Sequence, residues 1–151
     1  MTIMEKVLAL YEVELFQDMA TEELSMLASI AEEESFDAGE MIFSEEEATD
    51  SLNLLISGKV QILRGQQEIF VAGSKDALGT LSMLDGRPWL FTAKVIEPTH
   101  VLRIDRETFL DLVADHPGII EAILSSLVSR VRKLVDAPLA APSQPDQNSE
   151  N

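Results

Sequence analysis

The spacing of apolar residues changes twice along this chain, from a helical period to a short alternating one and back. In residues 2–13, Ile3, Val7, Leu8 and Tyr11 recur at helical spacing, which predicts a short amphipathic helix. Leu15 and Phe16 anchor a turn after it. Thr21 is the expected N-cap of a second helix, with Glu22 and Glu23 in the first turn, where carboxylates complement the helix dipole. Leu24, Leu27, Ile30 and Ala31 form its buried face, and it ends near Glu33. From Glu34 the period shortens. Apolar and β-branched runs at 35–36, 41–43, 51–56, 59–64 and 68–72 are separated by Asp37-Ala38-Gly39-Glu40, Ser57-Gly58 and Gly65-Gln66-Gln67. Residues 90–96 and 100–104 supply two more strands around Glu97-Pro98-Thr99. Strands this short at regular spacing predict a compact antiparallel roll or sandwich. The helical period then returns. Asp105 is a plausible N-cap, Phe109, Leu110 and Val113 face inward, and His116-Pro117-Gly118 breaks the chain before a last helix from Ile119 to about Val135.

The β region is interrupted once, in residues 76–95. A turn opens at Gly79, runs helically from Thr80 to Leu84, breaks at Asp85-Gly86, and passes through Pro88 into a strand-like run. The start of a helical turn presents unpaired backbone N–H groups and partial positive charge, so a turn opening at glycine is a natural cradle for phosphate. Trp89, Leu90 and Phe91 follow; alternation puts Trp89 and Phe91 on one face and Leu90 on the other. Turned inward, the two aromatics occlude a pocket; turned outward, they form an apolar docking patch.

This stretch resembles the phosphate-binding cassette of the cyclic nucleotide-binding domain family, a β-roll sensor of the catabolite-activator type. The family pattern reads Gly-Glu-(apolar)-Ala-Leu-Leu and then Pro-Arg-(small)-Ala-Thr-Val. Gly79, Leu81, Leu84, Pro88 and Thr92 stand in register with it. Asp37-Ala38-Gly39-Glu40, Ser57-Gly58 and Arg103-Ile104-Asp105 are further landmarks. The resemblance implies an antiparallel β-roll (a double-stranded β-helix, jelly-roll-like) with N-terminal helices and a C-terminal helix, mainly β, spanning residues 1–136. It also implies a ligand site at Gly79, Thr80, Leu81, Ser82, Arg87, Trp89, Leu90, Phe91 and Thr92. In the family the Glu accepts from the ribose 2′-hydroxyl and the Arg pairs with the cyclic phosphate; here those positions hold Thr80 and Trp89, and Leu90 and Phe91 replace the small pair. Losing a charged partner from a desolvated phosphate site costs about 2–5 kcal/mol, roughly 30-fold to several thousand-fold in affinity. Glu46 and Thr49 stand where the family has loop glycines, so that loop is expected to adopt different dihedrals.

Charge narrows the partners. The chain of 151 residues has 27 Asp and Glu against 11 Lys and Arg, a net charge of −16, and fifteen of the acids with only Lys6 opposing them fall in residues 1–50. Such a field repels nucleic acid and anionic membrane surfaces. The runs Glu32-Glu33-Glu34 and Glu45-Glu46-Glu47 read as a solvated face and a solvated loop. With no cysteine there is no disulfide framework, thiolate metal site or thiol nucleophile. No run nears the ~20 apolar residues needed to span a bilayer, and nothing near Met1 resembles a signal peptide, so no direct membrane insertion and a cytoplasmic location are expected. His100 and His116, the two histidines, show no spacing to a carboxylate that suggests a metal site or a triad. No catalytic constellation is visible, and neither metal nor cofactor is expected.

In the last helix Ile120, Leu124, Leu127, Val131 and Leu134 fall at spacings of 4, 3, 4 and 3, a heptad seam widened by Ile119, Ile123 and Val128. Its wide first half suits packing on its own roll, and its narrower second half suits a homodimer. Residues 137–151 have almost nothing to bury and are expected to be disordered. No residues are left for a helix-turn-helix domain, so no nucleic-acid contact is expected; a protein partner or fused effector is. Three functions fit: a degenerate sensor or interaction module acting by protein contact; a working cyclic AMP or cyclic GMP receptor in which Arg87 and cassette amides hold the phosphate; and a receptor for an uncharged small molecule stacked on Trp89.

Overall fold

The computed structural model describes residues 1–45, 47 and 50–137. In chain order the elements are α1 (Ile3–Tyr11), a 3-10 turn (Glu14–Phe16), α2 (Thr21–Ile30), β1 (Glu32–Phe36), β2 (Met41–Phe43), β3 (Leu52–Arg64), β4 (Gln67–Ala72), β5 (Ala77–Leu78), α3 (Thr80–Asp85), β6 (Thr92–Ile104), α4 (Arg106–Asp115) and α5 (Gly118–Val135). All strand pairs are antiparallel, in the order β1-β6-β3-β4, with β2 on β6 and β5 on β3. This is the expected β-roll with helices at both ends. No single helix among the described residues is long and apolar enough to cross a membrane.

The roll is built on two long strands rather than the four short ones expected. Residues 51–56 and 59–64 form the single strand β3, and residues 92–104 form the single strand β6, so Glu97-Pro98-Thr99 is not a turn. What the sequence marks as breaks are irregularities in one ladder, whose register shifts between Leu55 and Val60 opposite Glu97 to His100. Gly58 (φ 107°) sits at that point, where a Cβ would collide with Thr99. The shift changes which face looks inward. Leu52 and Leu54 belong to the core beneath the helices, whereas Leu55, Val60 and Ile62 line the roll interior, so the inward parity switches from odd to even across the bulge.

Two cores result. The larger joins Leu10, Phe16, Leu27, Phe109 and Ile119 of the helical elements to Leu52, Leu54, Leu102 and Ile104 of the sheet. The smaller fills the roll with Phe43, Leu55, Val60, Ile62, Ala72, Leu78, Ala93, Val95 and Val101. Each fully buried Leu, Ile or Phe stabilises the fold by about 1.5–3 kcal/mol relative to an exposed one.

Several helix details differ from expectation. α1 buries Val7 and Leu10, while Ile3, Leu8 and Tyr11, expected on its inner face, are exposed. It packs on α2 along Val7 and Leu10, and that contact leaves the rest of its apolar side outward. The N-cap of α2 is Ala20, not Thr21: the Glu23 carboxylate accepts from the Ala20 N–H, and the helix stops at Ile30 because Glu32 already pairs with Arg103 in the sheet. Asp105 does stand at the N-cap of α4, but its side chain makes no capping bond, being held by Ser51 and Arg103. Leu110, expected inward, is exposed, while Phe109 is buried and Val113 partly so. Glu46, Thr49 and residues 138–151 lie outside the described residues, so the loop and tail expectations are carried no further.

Candidate functional site

The cassette forms as a backbone feature. Gly79 (φ 81°) is the left-handed residue before α3, and a Cβ there would strike the Ser51 carbonyl. Gly86 (φ 77°) ends the turn by donating its N–H to Ser82 O at 2.8 Å. From the start of α4, Arg106 Nη1 donates to Met83 O at 2.6 Å and so ties the end of α3 to the helical layer. Ser82 and Met83 are buried. The β5–α3 junction is therefore fixed against β3 on one side and α4 on the other.

The second half of the cassette is a plug of aromatic side chains. Trp89 packs edge-on to Phe43 (centroids 5.0 Å apart) and tilted on Phe91 (4.8 Å), and both rest against the roll core. Such pairs add about 0.5–1.5 kcal/mol beyond area burial. Arg64, at the end of β3, lays its guanidinium 4.7 Å from the Phe91 centroid. Sequence reasoning overlooked this cation, because only the pairing of β3 with β6 brings its end to the cassette. Residues 90–91 precede β6 rather than forming its start, yet the expected alternation holds, with Leu90 58% exposed on the other side. Of the two open readings of the aromatics, the inward one is observed.

The remaining candidate residues disperse. Thr92 is buried, and its Oγ1 accepts from the Glu45 N–H at 3.2 Å. Arg87 is exposed; its N–H donates to Asp85 Oδ1, and its guanidinium has no hydrogen-bond or ion-pair partner among the described residues. Thr80 and Leu81 line a groove of about 690 Å³ whose other wall is Leu127, Arg130, Val131 and Leu134 of α5. Gly79, Ser82, Trp89, Phe91 and Thr92 stay at the roll, while Thr80, Leu81, Arg87 and Leu90 do not join them.

Along α5 the division is by face, not by half. Ile119, Ile123 and Ser126 are buried, and Ser126 and Arg130 bond Glu14 O and the Glu14 carboxylate (2.7 Å), so the helix packs on the N-terminal 3-10 turn and the helical core. The seam residues Ile120, Leu124, Val131 and Leu134 are exposed and Leu127 is half-buried.

Two polar clusters lie elsewhere. Asp105 accepts from Ser51 Oγ (2.7 Å) and Arg103 Nε (2.9 Å). Burial raises its pKa, but the Ser51 and Arg103 hydrogen bonds and the Arg103 charge outweigh that, so its carboxyl lies below the usual range. His100, contrary to the sequence-spacing argument, does have a carboxylate: Nε2 is 3.0 Å from Glu33 Oε1, and Nδ1 is 3.1 Å from Ser35 Oγ. Strand pairing, with Ser35 opposite His100, creates the contact across a separation no local motif reveals. All three side chains lie on a solvent-facing side of the sheet, outside the groove lined by Thr80 and Leu81. The Met1 ammonium, 2.7 Å from Glu33, holds that carboxyl below its usual range, with His100 adding to the effect. No group of three His, Asp or Glu among the described residues is placed to hold a metal ion.

Comparison with known proteins agrees with this architecture. The chain is 31% identical over 124 residues to the CRP-like cAMP-activated global transcriptional regulator of Mycobacterium tuberculosis, covering 79% of this chain and 55% of that protein. It is 30% identical over 123 residues to the potassium channel AKT1 of Oryza sativa subsp. indica, covering 79% of this chain and 13% of the channel. Its fold matches the N-terminal domain of a transcriptional regulator from Streptomyces coelicolor with a TM-score of 0.79 at 23% identity, covering 87% of this chain and 98% of that one. The profile of the cyclic nucleotide-binding domain matches residues 33–116, the span from β1 through the cassette to the end of α4, and the chain belongs to the cyclic nucleotide-binding domain family.

Proposed function

We propose that this domain is a non-catalytic regulatory module that does not bind cyclic AMP or cyclic GMP in the micromolar range and transmits its signal by protein contact. The observation that supports this reading is the inward packing of Trp89 and Phe91 on Phe43, at the position where the family resemblance puts the phosphate-pairing arginine and its small neighbours. A bound nucleotide would meet an aromatic plug there and no cation from that residue. No cofactor or metal is assigned, the location is cytoplasmic, and the domain itself contacts neither nucleic acid nor membrane. Its output passes to a fused or separate effector. Calorimetric titration with both cyclic nucleotides, with the fluorescence of the single Trp as a second readout, tests the reading: no saturation below about 0.1 mM is expected. A low-micromolar dissociation constant would overturn it. The double variant Thr80→Glu/Trp89→Arg is expected to gain affinity.

Arg64 favours a second reading. Its guanidinium already lies over Phe91 and offers positive charge beside the aromatics if they swing out around a ligand, and Arg87 is a second exposed cation of the cassette. The domain would then be a cyclic nucleotide receptor, and an uncharged ligand stacked on Trp89 is the third outcome that the same fluorescence titration reads.

Dimerisation through α5 completes the proposal, with Ile120, Leu124, Leu127, Val131 and Leu134 as the seam. Leu124→Glu is the sharper probe than Leu127→Glu, because Leu127 also packs on its own chain. Sedimentation is expected to show a dimer for the parent chain and a monomer for the variant.

A further inference from the structure

Among the described residues β1, β2, β4 and β5 each have one strand neighbour, so each leaves one edge of its backbone N–H and C=O groups unpaired. Three of these edges are blunted. β1 carries Glu32, Glu33 and Glu34, β2 is three residues long, and β5 has two residues before the chain turns at Gly79 into α3. β4 has neither guard. It spans six residues, Gln67–Ala72, with no proline, no lysine and one charge, Glu68. None of its backbone groups has a backbone hydrogen bond outside the ladder with β3 among the described residues. Ile69, Phe70 and Val71 are exposed. The ladder skips Ile69, and this bulge shortens the regular edge without covering the three side chains. Phe70 marks the open side of the roll: it stands opposite Ile62 and on the same face as Ala72, both fully buried, yet it is 43% exposed, because no strand lies beyond β4 to cover it.

We propose that the free edge of β4 docks an extended segment of a partner protein, an apolar run flanked by Lys or Arg, which adds to the roll as a further strand. In this mode the edge backbone supplies hydrogen bonds and alternate side chains supply specificity. The flanking charge follows from the carboxylates around the strand: Glu68 within it, Glu45 on the Gly65 N–H at the β3–β4 turn (2.8 Å), and Asp76 on the Gly73 N–H beyond its end (2.8 Å). The neighbouring cations are turned elsewhere, Arg64 over Phe91, Lys59 to Glu97 and Lys75 to Glu12. A second copy fits the edge less well, since two chains of net charge −16 repel and would bring a second set of the same carboxylates to it. The chain's own residues 138–151 fit less well too, because Pro138, Pro142 and Pro145 lack the N–H that a paired strand donates. The inference rests on the reading that the domain acts by protein contact and gives that contact a place.

The probe is a dye-labelled synthetic peptide of alternating valine and threonine with two lysines at each end, whose anisotropy is read against the full chain without nucleotide. Saturation below about 1 mM is expected. Methylating one set of alternate backbone nitrogens in the peptide is expected to weaken binding at least ~10-fold and methylating the other set to leave it unchanged, since a strand turns alternate N–H groups to its neighbour. Ile69→Lys and Val71→Lys, which replace exposed side chains and are expected to keep the parent thermal melt, should weaken binding of the unmethylated peptide by a similar factor. Equal effects of the two methylated sets, variants that bind like the parent chain, or no saturation by about 1 mM overturn strand addition at β4. A parent dimer that Ile69→Lys turns into a monomer gives the edge to a second copy and overturns the partner segment. The assay contains no nucleotide, so each of these failures is distinct from failure of the protein-contact reading, which the cyclic nucleotide titration decides.

Discussion

The two halves of the cassette were built by different means. Its first half, from Gly79 to Gly86, depends on backbone: two left-handed glycines, a buried Ser82 and Met83, and a carbonyl held by Arg106. Its second half, from Pro88 to Thr92, depends on side chains, with Trp89, Leu90 and Phe91 at the positions where the family resemblance implies an arginine and a small pair. A turn that fills a structural gap between β5 and β6 is held by the fold itself, whereas the side chains that follow it are free to vary with what they pack on. The scaffold and the chemistry of one motif can therefore separate.

Variants can break this comparison at either half. Gly79→Ala is expected to have the largest effect, destabilising the domain by about 3 kcal/mol, because it combines a left-handed backbone with a collision against Ser51 O. Urea unfolding measures it, and a loss under about 1 kcal/mol would show that the first half tolerates rebuilding. Trp89→Ala follows at about 2 kcal/mol, less than the 3–5 typical of a fully buried aromatic, since Trp89 is half-buried. It should also open a cavity at the roll mouth; unchanged stability would mean that the plug contributes nothing to the smaller core. Arg106→Gln is expected to cost about 1 kcal/mol through the lost bond to Met83 O. A thermal melt shifted by a few degrees is the readout, with no shift indicating that α3 is held by Ser82 and Met83 alone.

The smallest effect concerns pH. Asp105 has a folded-state pKa below its ordinary 3.8, so its hydrogen bonds to Ser51 and Arg103 contribute fully at neutral pH. That contribution declines as the pH falls below 3.8 and vanishes below the folded-state value. Since Ser51 O lies against Gly79, this link supports the first half of the cassette. Asp105→Asn should flatten the acid limb of the stability curve; an unchanged limb would assign it to other carboxylates.

Much of the fold was legible in the sequence because it rests on local signals. Gly79 and Gly86 punctuate the cassette turn, His116-Pro117-Gly118 separates α4 from α5, and the heptad spacing on α5 marks a real apolar stripe. What misled were local signals that the sheet overrides. Ser57-Gly58 and Pro98 read as turns, but once β3 and β6 pair, the backbone absorbs them as a bulge and the strands run through. Likewise, α1 has apolar residues around more than one side, and periodicity alone could not say that α2 would cover Val7 and Leu10 and leave Leu8 and Tyr11 outside.

The sequence by itself determined the helix–roll–helix order and the presence of Thr80 and Trp89 in the cassette, since both are properties of residue type and spacing along the chain. The tertiary structure alone decided that Trp89 and Phe91 turn inward, that Arg64 covers Phe91, and that His100 meets Glu33 and Ser35. It also decided that α5 packs on the Glu14–Phe16 turn and leaves most of its heptad face exposed to solvent. The physical reason is common to these cases. A side chain on a strand or helix has two or more faces to choose from, and the choice is made by which distant surface arrives to bury it, through a contact that no local pattern encodes.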